Sequence, residues 1–139
     1  MRGASAVDSL LRRDTTALAL LVVWEHVTPS DHGLVLPGTS VLARVRDPRA
    51  VQFWDDTRAL SARMVADLPA DTLASVAQIE SSDVKIVWDC VALFRPGMIW
   101  QERFPVPDWS GRPVIDVLDT FRRRLAAMES ANAPPRRGR

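Results

Sequence analysis

The sequence predicts an α/β domain, a mixed four-stranded sheet with helices on both faces. Three observations carry that reading. Short apolar runs containing Val, Ile and aromatic residues recur at 17–24, 49–54 and 84–94, the length of strands rather than of long helices. Two later stretches place apolar residues at helical spacing: Leu60, Met64 and Leu68, then Val114, Leu118, Phe121, Leu125 and Met128. Finally, Arg95-Pro96-Gly97-Met98 puts Pro and Gly at the two central positions that a type II turn requires.

Composition bounds what such a domain does. At 139 residues the chain is one domain, long enough to bury about two-thirds of its unfolded surface without staples. An apolar fraction of 47% and a charged fraction of 25% are ordinary for a soluble globular protein. The net charge of +1 is unevenly placed, because residues 122–139 hold six arginines against one glutamate and leave the rest at −4. That mildly acidic body argues against nucleic acid as a partner. All but Lys85 of the 18 basic residues are arginine, which reads first as compositional bias. One cysteine, Cys90, excludes an internal disulfide and any CxxC pair or cysteine-based zinc site. The apolar run 17–24 is too short to span a bilayer, and no cleavage site follows it. The expectation is a cytoplasmic protein with no membrane partner.

Taken in order, residues 1–14 are polar with a short apolar set, Val7, Leu10 and Leu11, and read as a loose N-terminal arm or as one or two helical turns. The run 17–24 reads as a buried strand closed by the turn-rich segment 28–33, with a buried helix as the alternative, since Leu and Ala favour helices and periodicity alone does not decide. Gly38 follows a further break, and Thr39 or Ser40 can cap a short helix through Val41, Leu42 and Val45. That helix ends by Asp47-Pro48, since the residue before a proline avoids the helical region. Residues 49–54 alternate as a second strand. Asp55 or Asp56 caps the next helix, and Pro69 stops it. Asp71 caps a short extra helix carrying Leu73, Val76 and Ala77, and 80–83 is a polar linker.

The segment 84–100 is the longest apolar stretch. Residues 85–94 read as an interior strand and Ile99-Trp100 as its return across the turn. After an irregular segment with Pro105, Pro107, Trp109 and Gly111, Pro113 opens the final helix. Residues 15–129 form the domain, and 130–139 read as a disordered basic tail. The order is β-α-β-α-β-β-α, with the first two strands parallel through a right-handed crossover.

That order is the core of the thioredoxin fold. Val23-Trp24-Glu25, Asp47-Pro48-Arg49, Gln52-Phe53-Trp54-Asp55 and Trp88-Asp89 resemble, in order and spacing, a group of bacterial thioredoxin-like proteins of unassigned function. The likeness spans residues 18–125, and its most specific piece is D-P-R-x-x-x-F-W-D. It implies the fold and no reaction. Where thioredoxins carry CxxC, residues 25–39 hold no cysteine. The proline that usually precedes the third core strand is also absent from 81–84.

Ligands of open α/β sheets favour the carboxyl ends of strands. The topology gathers Trp24, Glu25, His26, His32, Trp54, Asp55, Asp56 and Lys85 at one pole, as a candidate ligand-binding set. The expected function is a non-catalytic thioredoxin-like module that binds a small ligand or protein partner there. No cofactor, metal ligand or catalytic residue is assigned. The first alternative is a metal-dependent or acid–base enzyme using His26, His32, Asp55 and Asp56. Helix capping by the aspartates is the plainer explanation of their presence. The second alternative is redox chemistry at Cys90, whose alternation with Ile86, Trp88, Ala92 and Phe94 instead places it in a core. Asp89, between Val87 and Val91, reads as half of an ion pair with Lys85 or an arginine, ahead of a catalytic carboxylate. The other tryptophans read as core, leaving Trp109 as the exposed one.

Overall fold

The computed structural model describes residues 2–14, 17–25, 38–81 and 84–132, with backbone alone for Arg2, 78–81, 84 and 85. Its elements are α1 (Arg2–Leu11), β1 (Leu20–Glu25), α2 (Thr39–Leu42), β2 (Ala50–Asp55), α3 (Ala59–Asp67), α4 (Ala70–Val76), β3 (Ala77–Ser81), β4 (Val84–Val87), β5 (Val91–Leu93), β6 (Trp109–Gly111) and α5 (Val114–Asn132). The chain is thus mixed α/β.

The expected parallel pair is present. β1 and β2 run in the same direction, with Leu20 opposite Ala50 and the register continuing to Glu25 opposite Asp55. Gln52 secures the inward face of β2, its amide donating to the carbonyls of Leu42 and Val45 at 3.2 Å each. Leu20 packs against a core of Leu11, Leu93, Phe121 and Leu125. By alternation, Leu21, Val51 and Phe53 then point the other way, and they are 66%, 52% and 48% exposed.

The four-stranded sheet is not what the described residues form. They form three two-stranded sheets: parallel β1–β2, antiparallel β3–β4 and antiparallel β5–β6. The cause lies at Asp89. The expected continuous strand 85–94 breaks there, because Asp89 takes a left-handed backbone with φ 49°, a conformation that Asp tolerates better than most residues. Its carbonyl accepts the Val114 N–H at 3.0 Å and so ties the break to the start of α5. β4 and β5 consequently join different partners.

The turn at Arg95–Met98 forms as expected, with Gly97 at φ 83° and the Met98 N–H on the Arg95 carbonyl at 3.3 Å. Its return strand is β6, not Ile99-Trp100: Val91 faces Gly111 and Leu93 faces Trp109. Arg95 fixes that longer closure by gripping Asp108, its Nε on Oδ1 at 3.0 Å and its backbone N–H on Oδ2 at 2.8 Å. Ile99 and Trp100 are left exposed on the loop. Trp109 is half-buried against Phe121, ring centroids 6.3 Å apart, so the exposed tryptophans are Trp88 and Trp100.

Two further expectations change. Of the two readings of the N-terminal segment, helical turns are what forms, extended to the ten residues of α1, with Leu11 buried in the first core and α1 packed on α5. Residues 80 and 81, expected in a polar linker, instead end β3, which pairs antiparallel with β4, Ala77 facing Val87 and Gln78 facing Ile86; positions 82 and 83 lie outside the described residues. A second core of Met64, Leu68 and Val76 joins α3 to α4, with Val87, Cys90 and Phe104 against it. No helix among the described residues is long and apolar enough to cross a membrane.

Candidate functional site

The parallel register alone builds the pole. Trp24 lies beside Trp54, and Glu25 beside Asp55, at the carboxyl ends of β1 and β2. Four of the eight sequence-derived residues are therefore brought together. Asp56 follows and is exposed. His26 and His32 lie outside the described residues, as does the Lys85 side chain, so the proposed Asp89–Lys85 pair is outside them too. Lys85 itself stands in β4, opposite Ile79.

Each of the four has a local reason for its position. The Trp24 indole donates to Gln52 Oε1 at 2.9 Å, which locks it across the strand pair. Asp55 organises the entry to α3: its Oδ2 accepts the Leu60 N–H at 2.7 Å, and its Oδ1 accepts the Thr57 hydroxyl at 3.0 Å. Such carboxylate-to-amide bonds satisfy the orphan donors of a helix start. Asp55, not Asp56, does this capping, while Arg58 at φ 58° makes the sharp entry into the helix. Burial pushes Asp55 upward, but the amides of Leu60 and Ala59 together with Thr57 outweigh it and hold the carboxyl below its ordinary range.

Glu25 behaves in the opposite sense. Its carboxylate accepts the Ser61 hydroxyl at 2.6 Å and the Ser61 N–H at 3.2 Å. Burial raises its pKa, the Ser61 bonds pull it down in part, and the Asp55 charge adds to the rise. Ser61 is 2% exposed, and its oxygen accepts the Val87 N–H at 3.2 Å. One hydroxyl thus joins β1, α3 and β4. Sequence reading missed it, though a signal existed: Ser61, Met64 and Leu68 lie at i, i+3 and i+7, so a serine occupied a core position.

The D-P-R motif beside this pole has a structural role. Asp47 is 4% exposed, and Arg49 grips it through Nε at 2.9 Å and Nη2 at 2.6 Å, while also donating to the Leu11 carbonyl at 2.6 Å. The Arg49 hydrogen bonds hold the Asp47 carboxyl down at about 2. Asp8, in turn, accepts the amides of Arg46 and Asp47 at 2.6 and 2.9 Å. α1, the loop before β2 and β2 itself are pinned together by two aspartates.

Cys90 is half-buried against the second core. Burial, then the charges of Asp89 and Glu25, push its thiol up to about 12, with Arg112 opposing. At neutral pH it carries almost no thiolate, the form required of a nucleophile. No group of three or more His, Cys, Asp or Glu among the described residues has metal-binding geometry.

Comparison with protein-family models, with curated proteins and with solved structures found no match.

Proposed function

We propose that this chain is a non-catalytic module of thioredoxin-like descent whose β1–β2 end binds a protein partner. The observation that carries it is the open apolar face of Leu21, Val51 and Phe53 running up to Glu25 and Asp55. Parallel strands are ordinarily covered on both faces, and exposed apolar patches rimmed by polar groups mark interaction sites. The carboxylates at its end already serve the fold, Glu25 through Ser61 and Asp55 through α3. An apolar partner surface with a basic residue at its edge complements such a face. The first parallel pair and the closing helix support the thioredoxin-like assignment.

A photo-crosslinking amino acid at position 53 tests this in lysate of the source cell, with position 127, on the exposed side of α5, as control. A discrete adduct from position 53 alone, suppressed by Val51→Asp, is expected. The same ladder from both positions, or no adduct, contradicts the proposal. So does thiol-dependent reduction of insulin.

A second reading has one specific observation in its favour. Neighbouring carboxyls pushed in opposite directions, Glu25 up and Asp55 down, are the arrangement of an acid–base pair. Hydrolysis of p-nitrophenyl acetate that disappears in Glu25→Gln would favour it over partner binding.

A further inference from the structure

A second site, away from the acidic strand ends, lies between α4, β6 and the first half of α5. It is a cleft of about 470 Å³ whose walls include Ser75, Trp109, Ser110, Arg112, Val117 and Thr120. That volume falls within the range of small-molecule sites, roughly 300–1,000 Å³. We propose that this cleft binds a small organic anion, a carboxylate or phosphate carried on an aromatic or apolar body.

Charge comes first. Arg112 is the cation among the residues lining the cleft, and none of them is acidic, although the body of the chain is net acidic. No described residue makes a hydrogen bond or ion pair with its guanidinium. A planar guanidinium in that condition is suited to two-point recognition of a carboxylate or phosphate.

The hydroxyls have distinct roles. Ser75 donates to the Thr72 carbonyl at 2.7 Å, so Ser110 must donate in the 2.6 Å bond between the two serines. Both serine protons are thereby spent within the wall. Thr120 Oγ1 accepts from Arg123 at 2.9 Å, which leaves its own proton for an anion beside Arg112.

The apolar wall is rigid. A Cβ at Gly111 would stand 3.0 Å from the Trp109 ring and 3.2 Å from Val117 Cγ1, so the absent side chain is what lets the indole lie against β6. Phe121 backs that ring from the core. A fixed indole edge beside Val117 offers an aromatic body a flat contact with little ordering cost.

The test is titration of the ¹⁵N-labelled full chain with phenyl phosphate, phenylacetate, inorganic phosphate and benzylamine at millimolar concentration. Saturable amide shifts centred on Ser110, Gly111, Arg112 and Thr120 are expected with at least one aryl anion. The two aryl arms separate a phosphate ligand from a carboxylate one. Arg112→Gln should weaken binding about tenfold, roughly 1.4 kcal/mol, with the melting temperature unchanged. Thr120→Val, the second variant, should weaken it several-fold. The inference is overturned if neither aryl anion gives saturable shifts, if benzylamine binds as well, or if both variants bind like the parent.

Discussion

At the scale of single residues, two carboxylates respond to pH in opposite senses. Asp47 is held down to about 2 by Arg49, below the ordinary 3.8. Between those values the unfolded chain binds more protons than the folded one, so stability rises with pH through that window. The contribution is complete only above about pH 5 and is lost progressively on acidification toward pH 2. Breaking a buried pair leaves a stranded charge. Arg49→Met is therefore expected to cost about 3 kcal/mol in urea unfolding at pH 7, and a loss below about 1 kcal/mol would contradict the pairing. Glu25 is raised, chiefly by burial. The folded state there holds its proton longer, so stability falls as pH climbs from the ordinary glutamate range through the raised value. Glu25→Gln keeps an acceptor for Ser61 and removes the charge. Its urea midpoint should fall less than the parent's between pH 4 and pH 8; parallel pH dependence would show that Glu25 is not the desolvated group.

At the scale of elements, α1 and α5 meet so closely that only glycine fits. A Cβ on Gly3 would lie 2.5 Å from Asp89 Oδ1 and 2.7 Å from Val114 Cβ. Alanine is the better helix former by about 1 kcal/mol, yet overpacking costs typically about 1–3 kcal/mol. Gly3→Ala is accordingly expected to lower the melting temperature by several degrees, and a raised one would deny the contact. The same junction explains what the sequence concealed. The parallel pair was legible because 17–24 and 49–54 are short, Val-containing and separated by helix and turn signals. The break at Asp89 was not, since alternation across 85–94 is unchanged by one left-handed residue. Nor was β6 legible as the return strand: Ile99 and Trp100 are as apolar in a loop as in a strand. Their exclusion rests on Arg95 reaching Asp108, thirteen residues away, which no local pattern encodes.

At the scale of the whole molecule, the candidate pole follows from one topological fact, that β1 and β2 are parallel and in register. That fact placed Trp24, Glu25, Trp54 and Asp55 together from the sequence alone. The chemistry between them was hidden, because Ser61 and Gln52 act through hydrogen bonds that span 36 and 28 residues of chain. The partner-binding face belongs to this scale too, for an exposed Leu21 or Phe53 is unremarkable by itself and notable only as one side of a parallel sheet. Paired cysteines in a Cys90→Ala background test the arrangement most directly. Leu21 faces Val51 across the strands, while Asp55 lies four residues further along β2, about 13 Å away. Leu21→Cys with Val51→Cys should close an intramolecular disulfide on mild oxidation, and Leu21→Cys with Asp55→Cys should not. The reverse outcome, closure of the second pair and not the first, would mean that the strands run antiparallel and would dissolve the site.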